Sequence, residues 1–244
     1  MIIVIAFIAT LAPSLLLFFW LRSRNKDKPE YRKTCTKSLL MGLLSTLAIT
    51  GAALALDIIG SLAGLKKLHW LVWAIYKTFI LFALTEETFK FIFFKQVLNK
   101  TRFEYSWYDV TAFMTLVGTG FGMLESVLYS LNIDVISAIV RGVTLSHGVY
   151  GFIMGYFYAK ALKTGKKFYY VLSFMIPYLL HAIYDFGLVP ELLEFNDNLA
   201  VISVLLALAD LVIMILMIVF FARRRKSERY NSPLTVTIQT ENAN

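Results

Sequence analysis

HWLVWAIYKTFILFALTEETFKFIFFK, residues 69–95, decides the reading of this chain. Its first sixteen residues contain one charge, Lys77, and the run is far longer than a strand. A stretch of roughly 20 mostly apolar residues is what a helix needs to cross a bilayer. Yet this one carries Glu86, Glu87 and Lys90 within its apolar body. A spanning helix with acids inside it raises two questions, how many other spans surround it and what satisfies its charges.

Six further stretches of the same kind flank it, at about 2–21, 38–59, 109–130, 135–159, 168–189 and 199–222. With 58% hydrophobic and 15% aromatic residues, the chain has more apolar surface than a soluble core of its size would bury. The sequence therefore predicts an all-α fold: a polytopic transmembrane helix bundle of about seven spans forming one domain over residues 1–222, with a motif-bearing core at about 69–190. The end, 223–244, is basic and then rich in Ser, Thr, Asn and Gln, which predicts a disordered tail. The first span lacks a basic segment ahead of it and reads as an uncleaved reverse signal-anchor.

The net charge of +8 would suggest nucleic acid for a soluble protein, but here the charges sort by loop. Arg22, Arg24, Lys26, Lys28, Arg32, Lys33 and Lys37 lie between the first and second spans. Positive loops stay cytoplasmic, so the N-terminus is expected outside and the C-terminus inside. Lys95, Lys100 and Arg102, then Lys163, Lys166 and Lys167, then Arg223 to Lys226 agree, and the acidic loop with Glu191, Glu194 and Asp197 falls outside. Lys66 and Lys67 are the one exception. The expected partners are a bilayer and a membrane-protein or peptide substrate, not nucleic acid. The single cysteine, Cys35, sits in the basic loop and excludes an intramolecular disulfide.

Ionisable groups in mid-bilayer each cost about 3 kcal/mol, so four acids together approach the 5–15 kcal/mol stability of a typical domain. Glu86 and Glu87 on the third span, Glu125 on the fourth, His147 on the fifth, and His181 with Asp185 on the sixth must satisfy one another, or meet water or a metal. At about 1.5 Å per residue, most of them lie roughly 13–20 Å from the predicted cytoplasmic helix ends. Glu125 lies nearer the outer face. His181 and Asp185 are four apart and share a helix face. Glu86 shares one with Lys90, while Glu87 is turned about 100° away and has no such partner.

Gly118-xxx-Gly122 and Gly151-xxx-Gly155 are small-residue faces that let spans four and five approach closely. Asp57 and Asp210 are expected away from the cluster, and Arg141 is expected to snorkel to the outer surface. His69 beside Trp70, and Trp20, Trp73 and Trp107, fit interfacial belts.

In order along successive spans, Glu-Glu-x-x-Lys at 86–90, Phe-x-x-x-Glu at 121–125, His-x-x-x-Gly at 147–151 and His-x-x-x-Asp at 181–185 resemble the PrsW family of intramembrane proteases. The likeness to the CAAX-prenyl endopeptidases and bacteriocin-immunity membrane proteins is more distant, since their second motif carries histidine where this chain has Glu125. The resemblance implies cleavage of a peptide bond in or near a bacterial plasma membrane, in the best-known case of an anti-sigma factor in a stress response.

Amide hydrolysis needs an activated water, an acid for the leaving amine and donors for the oxyanion. Glu86 or Glu87 is expected to act as general base, with His147 holding the water, His181, oriented by Asp185, stabilising the oxyanion, and Glu125 positioning water. No cofactor is required for that scheme. In the rival scheme Zn²⁺ is held by some of Glu125, His147, His181 and Asp185. Buried Glu, His and Asp also suit a proton- or metal-coupled transporter, against which stands the lack of an inverted repeat. A non-catalytic peptide receptor or immunity protein is the third alternative, and it would keep partner binding after glutamate substitution.

Overall fold

The computed structural model describes residues 2–25, 27–100, 105–132, 135–189 and 200–223. Among them the chain is helical throughout, with no sheet. The helices are α1 (Ile2–Ser23), α2 (Pro29–Leu62), α3 (Trp70–Ile75), α4 (Thr85–Asn99), α5 (Trp107–Asn132), α6 (Val135–Thr144), α7 (Ser146–Thr164), α8 (Lys167–Phe186) and α9 (Ala200–Ala222). A π-helical segment, Tyr76–Leu84, joins α3 to α4 into one rod. The tail from Arg224 onward and the acidic loop with Glu191, Glu194 and Asp197 lie outside the described residues.

The chain is a polytopic α-helical membrane protein. α2, α5 (over Trp107–Ser130) and α9 (over Val204–Ala222) are by length and composition long and apolar enough to cross a bilayer. Large apolar side chains stay uncovered along the outward faces of α2 and α9, with Leu47 68% and Val204 59% exposed. Surface of that extent is stable only against lipid or a partner. Most of the interior acids, both site histidines, Lys90 and Arg141 lie on the other rods, and those groups lower their apolar character.

α2 begins nine residues ahead of the expected span. Pro29 occupies the first turn, where its missing N–H costs nothing, and Glu30 complements the positive helix end. At 34 residues it is about 51 Å long, well beyond a ~30 Å hydrocarbon core. The basic segment Arg32–Lys37 is therefore helix rather than loop. Cys35 and Tyr31 are buried on its inner side, with Tyr31 against Phe113 of α5 at 5.5 Å between ring centroids.

α5 is the centre of the bundle, packed against both α2 and α7. Glycines make those approaches possible. A Cβ on Gly118 would collide with the His147 carbonyl, and one on Gly151 would lie 2.6 Å from the Met114 carbonyl. Helices in lipid associate through such close packing because burial alone distinguishes little between lipid and protein. The expected small-residue faces of spans four and five thus form the α5–α7 seam.

The expected fifth span is broken. Leu145 has φ +54°, a left-handed conformation that a branched apolar residue adopts only at a cost in strain. The chain turns there, so that α6 ends at Thr144 and α7 starts at Ser146, placing His147 in the first turn of a new helix.

Candidate active site

The four acids and two histidines converge, and all are buried or nearly so. Glu87 and Lys90 share the inner side of α4, where the Lys90 ammonium donates to Glu87 Oε1 at 2.6 Å. Glu86 lies farther from it, with Oε2 at 3.7 Å from Lys90 Nζ. Lys90 is only 1% exposed and Glu87 0%. The pairing expected for Glu86 is therefore made more closely by Glu87, the residue expected to have no partner. Both lie within one turn of Lys90, and a buried ammonium takes whichever carboxylate its stem can reach.

An ammonium can only donate, which settles the protons on the first histidine. Lys90 Nζ lies 3.1 Å from His147 Nδ1, so Nδ1 accepts, and Nε2–H donates to Glu125 Oε2 at 2.5 Å. His147 is held at both nitrogens. Gly122 allows this approach, since a Cβ there would lie 3.1 Å from His147 Cβ. His181 differs: Nδ1 meets Glu87 Oε1 at 2.9 Å, while Nε2 lies 3.2 Å from Asp185 Oδ2 and 3.6 Å from Glu86 Oε2 without a hydrogen bond to either.

Arg141 is the largest correction to the sequence reading. It is 7% exposed, and its Nη1 and Nη2 donate to Glu125 Oε1 at 3.2 Å and Asp185 Oδ1 at 2.7 Å. The guanidinium also lies over Tyr129 and Tyr184, at 5.2 and 5.3 Å from the ring centroids. It stays inward because two buried carboxylates await a fixed cation, which outweighs the route to water. Asp210 is the second correction. It is buried on α9 and accepts from the Tyr150 hydroxyl at 3.2 Å, and the Tyr150 ring stacks on His181 at 5.4 Å and 25°. Asp57, by contrast, pairs at 2.8 Å with Lys66 in an exposed position, as far from the site as expected. That ion pair also accounts for one of the two lysines that break the loop-charge rule.

Tyr150 and Arg141 were thus the residues of this site that spacing did not assign to it, and Lys90 was placed only on the Glu86 face. The available signal was charge balance across the span interiors: four acids against one assigned cation, Lys90, should prompt a search for a second cation on neighbouring rods.

Glu86, His147 and His181 bring one ligand atom each to within 4.8 Å of one another. Among the described residues, Glu86 Oε2, Glu87 Oε2, His181 Nε2 and Arg141 Nε are buried with no hydrogen-bond partner. Two imidazoles and a carboxylate with a fourth position open are a ligand set suited to zinc. The charges also fit, since four carboxylates face only the two fixed cations Lys90 and Arg141. His147 would join by exchanging the hydrogen bond that it accepts from Lys90. This trio shares His147 and His181 with the zinc set expected from sequence and has Glu86 in place of Glu125 and Asp185, both of which Arg141 engages. Beside His147 a polar cavity of about 10 Å³, walled in part by Ser14, Thr119 and Ser126, offers about the space of one water.

Fold and site together define a polytopic membrane protein with a carboxylate–imidazole centre sealed among its helices. The chain belongs to the PrsW family of intramembrane metalloproteases, whose family model matches residues 32–223. Among curated relatives, the protease PrsW of Oceanobacillus iheyensis is 36% identical over 115 residues, 45% of this chain and 53% of the relative. That of Shouchella clausii is 31% identical over 187 residues, 73% of this chain and 81% of the relative. That of Bacillus subtilis is 27% identical over 186 residues, covering 73% and 80%. In the first of these the match spans about half the relative's length. No solved structure matches.

Proposed function

We propose that this chain is an intramembrane endopeptidase of the bacterial plasma membrane that hydrolyses a peptide bond of a membrane-associated protein, with the Glu86–His147–His181 trio as its reaction centre. The observation that carries the proposal is the pair of buried polar atoms, Glu86 Oε2 and His181 Nε2, that face each other at 3.6 Å, neither with a hydrogen-bond partner. Buried polar atoms left unpaired in that position are costly unless a proton, a water or a cation stands between them. A hydrolase requires such a place.

Glu86 takes the proton from the attacking water and passes it to the departing amine. Glu87 holds His181 by its Nδ1–H and Glu125 holds His147 by its Nε2–H, so both rings keep one orientation through the reaction. The oxyanion meets Lys90, whose ammonium spends two of its three N–H donors on Glu87 and His147. His181 is less suited to that role than its place in the motif suggests, because its Nδ1–H is committed to Glu87.

The family's metal chemistry favours a second form of the same reading. Glu86, His147 and His181 then hold the ion, and proton acceptance passes to Glu87, whose Oε2 is also unpartnered. When bound, the metal would supply Lewis acidity to the scissile carbonyl and the attacking water. The substrate proposed from the resemblance is a membrane-bound regulator of the anti-sigma type, and the orientation proposed from loop charge is N-out, C-in.

The test compares protein N-termini in membranes and medium from cells expressing the wild-type chain or Glu86→Gln/Glu87→Gln at matched levels. New termini present only with the wild type are expected. Identical profiles at rest and under envelope stress would sink the proposal. Elemental analysis of the purified chain separates the two forms: near-stoichiometric zinc that falls in His181→Ala supports the metal form, and zinc-free active protein supports the glutamate form.

A further inference from the structure

Away from the reaction centre, the end of α1 and the first turns of α2 enclose a cavity of about 470 Å³. Its walls bring together Arg22, Arg32, Lys33 and Lys37, with Pro29 and Leu40 as apolar lining. Among the described residues, one acid answers them directly, Glu30, paired with Lys33 at 2.8 Å in a solvent-exposed contact. Arg22 Nε is buried with no partner. These cations line one concave space, where an anion would offset their mutual repulsion.

The geometry points to a binding site for the phosphate headgroup of an anionic phospholipid at this cavity. Loop-charge asymmetry alone asks only for cations on one side of the membrane; it does not ask for a hollow between two helices, nor for what continues below it. From the apolar lining at Leu40, the same side of α2 runs on through Leu44 and Leu47 at helical spacing, and these three are 51%, 51% and 68% exposed. A headgroup held by the cations would lay its acyl chain along that uncovered track. Free phosphate satisfies the cations but makes no use of the track, which favours lipid over a soluble anion. Arg24, stacked over Trp20 at 4.5 Å, marks the same level as an interface between headgroups and hydrocarbon.

The test is a lipid titration of the purified full-length chain in neutral detergent, read by native mass spectrometry, with phosphatidylglycerol against phosphatidylcholine. Arg32→Gln/Lys37→Gln is expected to weaken the tightest phosphatidylglycerol association about 30-fold, while phosphatidylcholine retention and the thermal melt stay unchanged. The charge-preserving Arg32→Lys/Lys37→Arg is expected to keep the association. Lys166→Gln/Lys167→Gln, which removes the same charge elsewhere, is expected to leave it intact. An equal loss in both Gln pairs, no loss in either, or loss in the charge-preserving variant would overturn the proposal. So would displacement of the lipid by inorganic phosphate, which would mark a soluble-anion site.

Discussion

The two halves of the buried cluster are built from similar residues and end in different states. Around Arg141, the two guanidinium arms each meet a carboxylate, and the second oxygen of Glu125 takes His147 Nε2–H. Around Lys90, one oxygen of Glu87 is shared by the ammonium and His181, while Glu86 Oε2, Glu87 Oε2 and His181 Nε2 are left without hydrogen bonds. The first half leaves only a donor, Arg141 Nε, unpaired among the described residues, and its ion pairs hold helices together. The other keeps unpaired carboxylate oxygens and an imidazole nitrogen at a single place, as a reaction needs. Equal burial thus separates into structural and chemical work only when individual atoms are counted.

That contrast is sharpest at Glu86. Glu86→Gln removes a carboxylate that makes no hydrogen bond through Oε2, so peptide cleavage should fall about 10³-fold or more while the melting temperature shifts little. A large loss of stability would show that Glu86 belongs with the Arg141 half. Arg141→Met should behave in the opposite way. Removing one partner of a buried ion pair costs about 3–5 kcal/mol, so a thermal melt in detergent should drop steeply, and Arg141→Met/Glu125→Gln/Asp185→Asn should recover much of it. A melt unchanged in Arg141→Met would break the comparison.

Smaller effects test the supports behind the cluster. Tyr150→Phe removes the hydroxyl that ties the ring stacked on His181 to Asp210. Loss of one buried hydrogen bond is worth about 1 kcal/mol, so turnover should fall about five- to tenfold with KM unchanged, a split that simple destabilisation would not produce. Asp57→Asn touches only the exposed pair with Lys66. Exposed pairs contribute about 0–1 kcal/mol, and both melt and cleavage should match the wild type within error.

Much of this was legible in the sequence because lipid imposes simple rules. Apolar length marks the rods, and the ends of α5 and α9 fall within a few residues of expectation. Acids and histidines in apolar runs marked the cluster. What escaped were features that depend on neighbours. Arg141 reads as a snorkelling residue from its own helix, and its inward turn follows from Glu125 and Asp185 on two other rods. Asp210 looks isolated along α9 until Tyr150 reaches it from α7. Periodicity alone could not separate α6 from α7, since both sides of the break are apolar helix and Leu145 carries no turn signature. The π-helical stretch Tyr76–Leu84 is equally silent, because it changes the winding without changing composition.

The break at Leu145 also bears on how the chain is made. α6 has ten residues and a length of about 15 Å, too short to cross a ~30 Å core unaided. It carries Arg141, half of whose charge partners arrive only with Asp185, forty-four residues later in synthesis. The segment therefore has no stable place in the bilayer when it leaves the ribosome and must be drawn in by helices that follow it. A nascent chain stopped short of Asp185 should leave a cysteine at position 142 open to water-soluble thiol reagents, and the completed chain should close it.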